Sequence, residues 1–249
     1  MKTSADIVIV GGGIMGASLL YHLALEGCTD TILIEKDELT SGSTWHAAGQ
    51  CPSITGSYNL AKIHAYSNEL YPTLEAKTGQ YVSWHASGGV RLANNERELA
   101  WMKRIHGFSK AIGFNMEIIT PARARELNPF LTTEGVIAAA HTTDDGHADP
   151  AGLCNAMAKG ARDLGATIIR KNRVTGIRRR PSGEWEVITE KGSIIARVVV
   201  NAAGCYARQV AQMVGADAPI CNMQHHYVVT DPIPAFVERA GELPVMRDS

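Results

Sequence analysis

The sequence is short of the features that assign a chain to a class at once. Its 24 Lys and Arg residues nearly balance 25 Asp and Glu residues, so we expect neither nucleic-acid binding nor a polybasic membrane anchor. No apolar stretch approaches the ~20 residues of a transmembrane helix, so we expect no membrane partner. The five cysteines are odd in number and lack metal-ligand or Cys-x-x-Cys spacing. We therefore predict free thiols, no metal site and a reducing compartment.

The start of the chain supports the same location. The first apolar run begins within a few residues of Met1, so we expect no signal peptide. The predicted location is the cytoplasm, or the mitochondrial matrix if the source is a eukaryote.

The N-terminal segment carries the strongest motif. The apolar run Asp6–Val10 leads into Gly11-Gly-Gly13-Ile-Met-Gly16, and a helical pattern then ends near Gly27. A second apolar run, residues 31–34, stops at an acid. This order of strand, glycine turn, helix, strand and acid is typical of a dinucleotide-binding fold.

Each residue of this motif has a predicted role. Gly11 permits a tight turn, Gly13 lets a pyrophosphate approach a loop of unusual backbone angles, and Gly16 lets the helix lie close to the sheet. Glu35 is placed to bind both ribose hydroxyls of an adenosine, which argues against NADP. The alternative is a glycine-rich turn followed by a structural acid.

The rest of the chain mixes helical and strand patterns. Asp149 and Pro150 are a helix N-cap and first position. The predicted helices are Asn59–Thr78, Asn95–Ile112, a short one from Thr120, one from Pro150 to Gly165, and Tyr206–Val214. The predicted strands are Gly88–Ala93, Met116–Ile119, Ala166–Ile169, Val174–Arg178, Trp185–Thr189, Ile194–Val200 and Met223–Thr230.

These patterns predict an α/β chain with two interleaved domains. A nucleotide-binding domain comprises residues 1–85 and 145–217. An α+β substrate domain comprises residues 86–144 and 218–249, with too few strands after Tyr227 to cover its own face. We therefore expect a fragment that is inactive alone.

A family resemblance sharpens this interpretation. An antiparallel meander that returns through Val198–Gly204 resembles FAD-dependent oxidoreductases of the glutathione-reductase and D-amino-acid-oxidase type. The segment Ser41–Gly49 (Ser-Gly-Ser-Thr-Trp-His-Ala-Ala-Gly) closely resembles the flavin-attachment segment of dimethylglycine and sarcosine dehydrogenases. The resemblance extends through Asp145–Pro150, Val174–Ile177 and Gln224–Thr230, and so covers essentially the whole chain.

The resemblance implies FAD as the cofactor, bonded covalently from the imidazole of His46 to the flavin 8α-methyl group. Neutral imidazole is a good nucleophile near neutral pH. Without the resemblance, His46 would be read as a loop histidine beside a tryptophan. The other cofactor contacts that the resemblance implies are Ser43, Thr44, Val174, Ala203 and Gly204.

His225 is the catalytic residue that the resemblance implies, on the substrate side of the flavin. A histidine there favours the neutral amine, whose nitrogen lone pair must push the hydride out. The alternative is a histidine on a sheet edge. His226 would point to the opposite face of the predicted strand.

The implied activity is oxidation of the C–N bond of a small N-methylated amino acid, sarcosine or dimethylglycine, with an electron-transfer partner or oxygen as acceptor. Tetrahydrofolate would bind only through a C-terminal region that this sequence lacks. Two rivals remain: another D-amino-acid-oxidase-like oxidoreductase, and a non-catalytic regulatory subunit with a flavin fold. The intact Thr44-Trp-His46 segment argues against both.

Overall fold

A computed structural model describes residues 2–239 and 241–248. By their internal contacts, the residues group into two compact units. The first unit comprises Met1–Ala48, Leu74–Val82 and Asp149–His225, and the second comprises Gly49–Thr73, Ser83–Ala148 and His226–Ser249. Residues 49–73, which the sequence analysis assigned to the nucleotide-binding domain, belong by contacts to the second unit. The domain limits given above stay a prediction.

The described residues form twelve strands and seven α-helices. The strands are β1 (Ser4–Val10), β2 (Thr31–Ile34), β3 (Gln50–Cys51), β4 (Gly89–Ala93), β5 (Glu117–Ile119), β6 (Ala138–Thr142), β7 (Gly146–His147), β8 (Thr167–Ile169), β9 (Val174–Arg179), β10 (Trp185–Thr189), β11 (Gly192–Asn201) and β12 (Val245–Arg247). The helices are α1 (Ile14–Leu25), α2 (Tyr58–Thr78), α3 (Glu96–Ile112), α4 (Pro121–Leu127), α5 (Pro150–Asp163), α6 (Ala207–Gln212) and α7 (Pro234–Val237). Two 3-10 helices cover Thr44–His46 and Gly204–Tyr206.

The first unit is built on a six-stranded sheet of order β8-β2-β1-β11-β10-β9. Strand β1 lies between β2 and β11 and is parallel to both, while β10 and β9 continue the sheet as an antiparallel meander. Because β1 and β2 are covered on both faces, their residues are apolar in nearly continuous runs, and Ile9 and Leu33 are fully buried. The predicted α/β fold with an antiparallel meander is confirmed.

Helices α1 and α5 pack together in this unit, and small residues permit the contact. A Cβ added at Gly160 of α5 would lie 2.7 Å from the ring of Tyr21 in α1. The predicted N-cap of α5 is confirmed, because the Asp149 carboxylate accepts hydrogen bonds from the N–H groups of Ala151 and Gly152.

The second unit contains a four-stranded sheet of order β12-β4-β6-β5 and a two-stranded sheet of β3 and β7. Strand β6 pairs antiparallel with both β4 and β5, whereas β12 is parallel to β4. Helices α3 and α4 lie against separate apolar clusters of this unit, one around Met102 and Ile105 and one around Ala124. In the described part of the chain, no helix is long and apolar enough to cross a membrane.

One predicted strand is absent, and one strand of the four-stranded sheet was not predicted. The described residues 216–233 form neither helix nor strand, so the predicted strand Met223–Thr230 is absent. A strand needs a partner, and the apolar run Tyr227-Val228-Val229 supplies none by itself. Conversely, the sequence analysis missed β6, whose alanines have low strand propensity but are buried between two partners.

Candidate functional site

The glycine turn after β1 is held by two close backbone approaches. Gly11 has φ +119°, and a Cβ there would lie 2.3 Å from the carbonyl oxygen of Ala202, which follows β11. A Cβ at Gly16 would lie 2.0 Å from the carbonyl oxygen of Gly11. Neither position can accept a side chain without a backbone shift, so the turn after β1 and the turn after β11 lie directly side by side.

Gly13 differs from the expectation of unusual backbone angles. Its φ of −80° and ψ of −178° are ordinary extended values that any residue adopts. Among the described residues, a Cβ added here would meet a single atom, Thr44 Oγ1, at 3.1 Å. The strained position of the turn is therefore Gly11, and the backbone of Gly13 is open to a ligand.

Thr44 ties a distant segment to the start of α1. Gly13 at the N-cap has no side chain to accept a hydrogen bond, and Thr44 Oγ1 accepts instead from the N–H of Ile14 at 3.0 Å. Because Thr44 is buried, this bond fixes the 3-10 helix Thr44–His46 beside the glycine turn. A positive helix end and a glycine turn form an anion site where phosphates bind.

Glu35 follows β2 and is only 8% exposed. One carboxylate oxygen accepts from the N–H of Gly12 at 2.7 Å, and the other accepts from the N–H of Asp37 at 2.8 Å. A carboxylate offers about four lone-pair positions, so acceptor capacity remains for two hydroxyl donors. The acid therefore both supports the turn and presents free lone pairs.

A cleft of about 330 Å³ opens at the carboxyl ends of β1 and β2. Crevices at this edge of an open α/β sheet are the usual ligand sites of such folds. Four of the predicted cofactor residues line it together: Gly11, Glu35, Val174 and Ala203. Further lining residues that the sequence analysis missed are Lys36, Asn172, Arg173, Tyr206, Gln209 and Met213.

Lys36 and Tyr206 form one wall of this cleft. The Lys36 ammonium lies 4.9 Å from the centroid of the Tyr206 ring and pairs with Asp37 at 2.5 Å. The Asp37 carboxylate raises the pKa of Lys36. The available signal was positional, because Lys36 directly follows the acid and Tyr206 follows the predicted Ala-Ala-Gly turn.

The turn containing Ala203 and Gly204 is fixed by its own side-chain bonds. Asn201 Oδ1 accepts from the N–H of Ala203 at 3.2 Å, and Asn201 Nδ2 donates to the carbonyl of Ala207 at 2.7 Å. Gly204 has φ +53° and begins the 3-10 helix that carries Tyr206 into the cleft. The last strand of the meander therefore delivers this turn to the cleft.

His46 lies on the same 3-10 helix as Thr44 and is exposed. Its ring packs on that of Trp45, with centroids 3.7 Å apart and planes 32° apart. Ser43, just before this helix, lies 3.3 Å from the Cys205 sulfur through its Oγ. The segment predicted to attach a flavin therefore lies between the start of α1 and the turn after β11.

His225 lies apart from these residues. It is exposed in the coil 216–233 and belongs by contacts to the first unit, although the sequence analysis assigned it to the substrate domain. The structure brings it to none of the residues of the cleft that are described above. Its predicted catalytic role stays a prediction.

Cys154 on α5 lies beneath the glycine turn. Its thiol is buried and lies 3.7 Å from the carbonyl oxygen of Gly12. Burial, reinforced by the negative charge of Glu35, raises the pKa of this thiol to about 12. Cys154 is therefore an unreactive packing residue rather than a nucleophile.

The second unit contains a buried carboxylate, Asp145. Its Oδ1 accepts from the N–H of Ser53 at 2.8 Å, and its Oδ2 accepts from the Thr142 hydroxyl at 2.5 Å. Asn68 Nδ2 lies 3.4 Å from Oδ1 and also donates to the Cys51 carbonyl. Burial raises the pKa of Asp145 above its usual range, although the hydrogen bonds from Thr142 and Ser53 oppose the shift.

The residues of the first unit fit a dinucleotide such as FAD. The open backbone at Gly13 and the start of α1 suit the pyrophosphate, and Glu35 retains acceptor positions for the ribose hydroxyls. The cleft walls offer both apolar and aromatic surface for a purine.

Comparison with known proteins agrees with this fit. Residues 6–249 match the family model "DAO: FAD dependent oxidoreductase". The chain is 43% identical over 247 residues to dimethylglycine dehydrogenase of Rattus norvegicus, which covers 99% of this chain and 29% of that protein. It is 35% identical over 254 residues to sarcosine dehydrogenase of Mus musculus, which covers 100% of this chain and 27% of that protein. The chain thus spans under a third of the length of these relatives.

Among solved structures, L-proline dehydrogenase of P. horikoshii is similar, with a TM-score of 0.79 and 29% identity. The match covers 86% of this chain and 56% of that one.

Proposed function

The chain belongs to the DAO family of FAD-dependent oxidoreductases, and from this premise we propose that it is the FAD-binding part of an amine dehydrogenase or oxidase. The proposed substrates are N-methylated glycines, either sarcosine or dimethylglycine. The observation that carries this proposal is the similarity to dimethylglycine dehydrogenase, which extends over nearly the whole chain. When bound, FAD would accept a hydride from the N-methyl carbon, leaving an iminium that water hydrolyses to the demethylated amine and formaldehyde.

The residues of the first unit would hold the cofactor by its two ends. The pyrophosphate would lie against Gly13 and the first turn of α1, where Thr44 already occupies the N–H of Ile14. The ribose hydroxyls would donate to Glu35, and the adenine would lie in the cleft near Val174 and Tyr206. These contacts are independent of a covalent bond.

We propose that His46 carries the flavin covalently in the complete protein. Three features support this role: His46 is exposed, its segment is fixed by Thr44 beside the glycine turn, and the Trp45 ring restricts its orientation. An exposed imidazole can reach the flavin, and the neutral form of imidazole is the nucleophile.

The test is acid precipitation followed by tryptic mass spectrometry of the wild-type protein, of His46→Ala and of His106→Ala as the control. The flavin mass should appear on the peptide that contains Trp45 and His46 in the wild type and in the control. His46→Ala should release all of its flavin into the supernatant. Flavin that acid removes from the wild type would show that the link does not form.

His225 is the residue that we propose to act on the substrate. It is exposed and so is available to a ligand. A histidine near the amine would favour the neutral form of the substrate, and only the neutral amine has the lone pair that expels a hydride. We expect His225→Gln to raise the apparent pKa in the pH profile of kcat/KM, whereas His226→Gln leaves it in place. Equal profiles for the two variants would remove this role.

The substrate class is tested by anaerobic bleaching of the flavin in the complete protein. Sarcosine and dimethylglycine should bleach it, while glycine betaine should not, because its quaternary nitrogen has no lone pair. Bleaching by D-alanine but not by dimethylglycine would favour the other DAO-type oxidoreductases. Tightly bound flavin that no amine reduces would favour a regulatory subunit.

The acceptor and the location complete the proposal. We propose that an electron-transfer partner or oxygen reoxidises the flavin. The compartment would be the mitochondrial matrix in a eukaryotic source, because dimethylglycine dehydrogenase of the rat is named as mitochondrial. Capture of the one-carbon unit by tetrahydrofolate would need a region outside this sequence.

A further inference from the structure

Two histidines and a glutamate from three distant parts of the sequence meet in the second unit. They are His85, His147 of β7, and Glu242. One ligand atom from each residue lies within 4.8 Å of the other two. We infer that this cluster is a binding site for a divalent transition-metal ion of the zinc type, held by two imidazole nitrogens and one carboxylate.

The backbone fixes the two histidines as a directly opposed pair. His85 donates its N–H to the carbonyl of His147 at 2.8 Å, and His147 donates its N–H to the carbonyl of His85 at 3.0 Å. Residues that exchange both bonds in an antiparallel bridge present their side chains on the same face. The bridge requires Gly146, because a Cβ there would lie 2.1 Å from the His85 carbonyl oxygen.

The third ligand already contacts both rings. One carboxylate oxygen of Glu242 lies 2.5 Å from His85 Nδ1, and the other lies 3.6 Å from His147 Nε2. Ligands of a tetrahedral zinc ion lie about 2.0–2.1 Å from the metal and therefore roughly 3.3 Å from one another. Shifts on the order of 1 Å, within the reach of partly exposed side chains, would bring the three donors to that spacing.

A metal-bound imidazole usually donates a hydrogen bond from its other ring nitrogen, and His85 has a partner for that bond at Nε2. Ser83 Oγ lies 2.9 Å from His85 Nε2. A proton on Nε2 donated to this hydroxyl leaves Nδ1 as the unprotonated donor to the metal. Ser83 itself has φ +48°, a strained value that positions its side chain beside the ring.

One rearrangement is required. The two rings are stacked, with centroids 4.7 Å apart and planes 10° apart, so their in-plane lone pairs do not meet at one point. One imidazole must turn about its Cβ–Cγ bond, a torsion with a broad energy minimum. The side chains of His85 and His147 are 34% and 39% exposed, which leaves room for this turn.

The donor set selects the ion. Imidazole nitrogens suit zinc, copper, iron and nickel, whereas magnesium and calcium prefer oxygen ligands. Three protein ligands leave a fourth position for water, as in zinc sites that are open on one side. The sequence analysis predicted no metal site because it searched for ligands at short, regular spacing, and His85, His147 and Glu242 are far apart in the sequence.

The experiment is isothermal titration of the complete, tag-free protein with zinc chloride, repeated with magnesium chloride. We expect one zinc site, no magnesium binding there, and a loss of zinc affinity on the order of 10- to 100-fold in both His147→Ala and Glu242→Gln. The matched controls His106→Ala and Glu238→Gln should bind zinc as the wild type does.

Thermal melting keeps the inference testable where a variant is less stable. At about 100 times its dissociation constant, zinc should raise the Tm of the wild type and of the controls by about 5–10 °C. It should leave the Tm of Glu242→Gln nearly unchanged, and this exposed substitution keeps the backbone bridge intact. An equal zinc response in Glu242→Gln and the wild type, or no response in the wild type, would overturn the inference.

Discussion

Replacing Glu35 by alanine should weaken both the fold of the first unit and the binding of FAD, because the carboxylate supports the glycine turn and we propose that it also binds the ribose. Its oxygens accept the N–H groups of Gly12 and Asp37 at 2.7 and 2.8 Å. Its remaining lone pairs border the cleft at the carboxyl ends of β1 and β2. The sequence predicted the ribose contact alone, and the structure adds the support of the glycine turn.

The structure sets the size of each effect. A buried N–H that loses its acceptor costs about 1–3 kcal/mol. The side chain borders an open cleft, so water can replace part of the lost hydrogen bonding. We therefore expect the free energy of unfolding of the apoprotein to fall by about 2 kcal/mol. Loss of charge-assisted bonds to the ribose, worth about 1.5–3 kcal/mol, would raise the FAD dissociation constant by about 10- to 150-fold.

The two effects are measured separately. Urea unfolding of the apoprotein gives the stability change, and flavin fluorescence titration of His46→Ala, with and without Glu35→Ala, gives the affinity change without a covalent bond. Glu38→Ala is the matched control, because Glu38 is close in sequence but pairs on the surface with Arg170 and Lys171. Equal dissociation constants with and without Glu35 would refute the ribose contact, and unchanged urea stability would refute the supporting role.

Three further predictions follow from the packing. Gly16→Ala should prevent folding of the first unit, because the added Cβ would lie 2.0 Å from the carbonyl oxygen of Gly11. Gly13→Ala should fold with a native circular dichroism spectrum but bind FAD at least about tenfold more weakly. Cys154 should resist thiol reagents at pH 8 in the native protein, since burial raises its pKa to about 12, and should react after unfolding in urea. Asp145→Asn should flatten the dependence of the unfolding free energy on pH, and Asp231→Asn, an exposed control, should not.

The sign of the Asp145 effect is fixed by the direction of its pKa shift. Burial raises the native pKa above the ordinary value of 3.8, so the native state holds the proton more tightly than the unfolded chain does. The free energy of unfolding therefore falls as the pH rises from about 3.8 through the raised native pKa, and stays lower above it. In Asp145→Asn, the amide can donate to the Thr142 hydroxyl, which can donate to the Gly89 carbonyl at 3.3 Å. A steeper pH dependence in the variant would contradict this account.

The first unit was predictable because its signals are local. Adjacent residues encode the order of β1, α1 and β2 together with the glycine turn and the acid. The strands of the meander are joined by turns that are recognisable from their turn-forming residues. Even so, the role of Thr44 could not be read from spacing. Its bond to Ile14 joins residues 30 positions apart, and only tertiary structure brings them together.

The second unit was less predictable because its key features depend on partners. Strand β6 is a strand because β4 and β5 pair with it, not because alanine favours extended structure. The residues around Tyr227 are the opposite case, because a run of strand-favouring residues is present but no described strand pairs with it.

The cluster of His85, His147 and Glu242 resembles β6 in that it depends on partners that are distant in the sequence. Its members are made neighbours by the bridge between His85 and His147, whose closeness depends on Gly146. A search for ligand spacing tests only local encoding, and so it cannot detect a site assembled by strand pairing. The same reasoning separates the two sites of this chain. The cleft of the first unit is built on a motif that is contiguous in sequence, whereas the cluster of His85, His147 and Glu242 exists only if the backbone pairing around Gly146 forms.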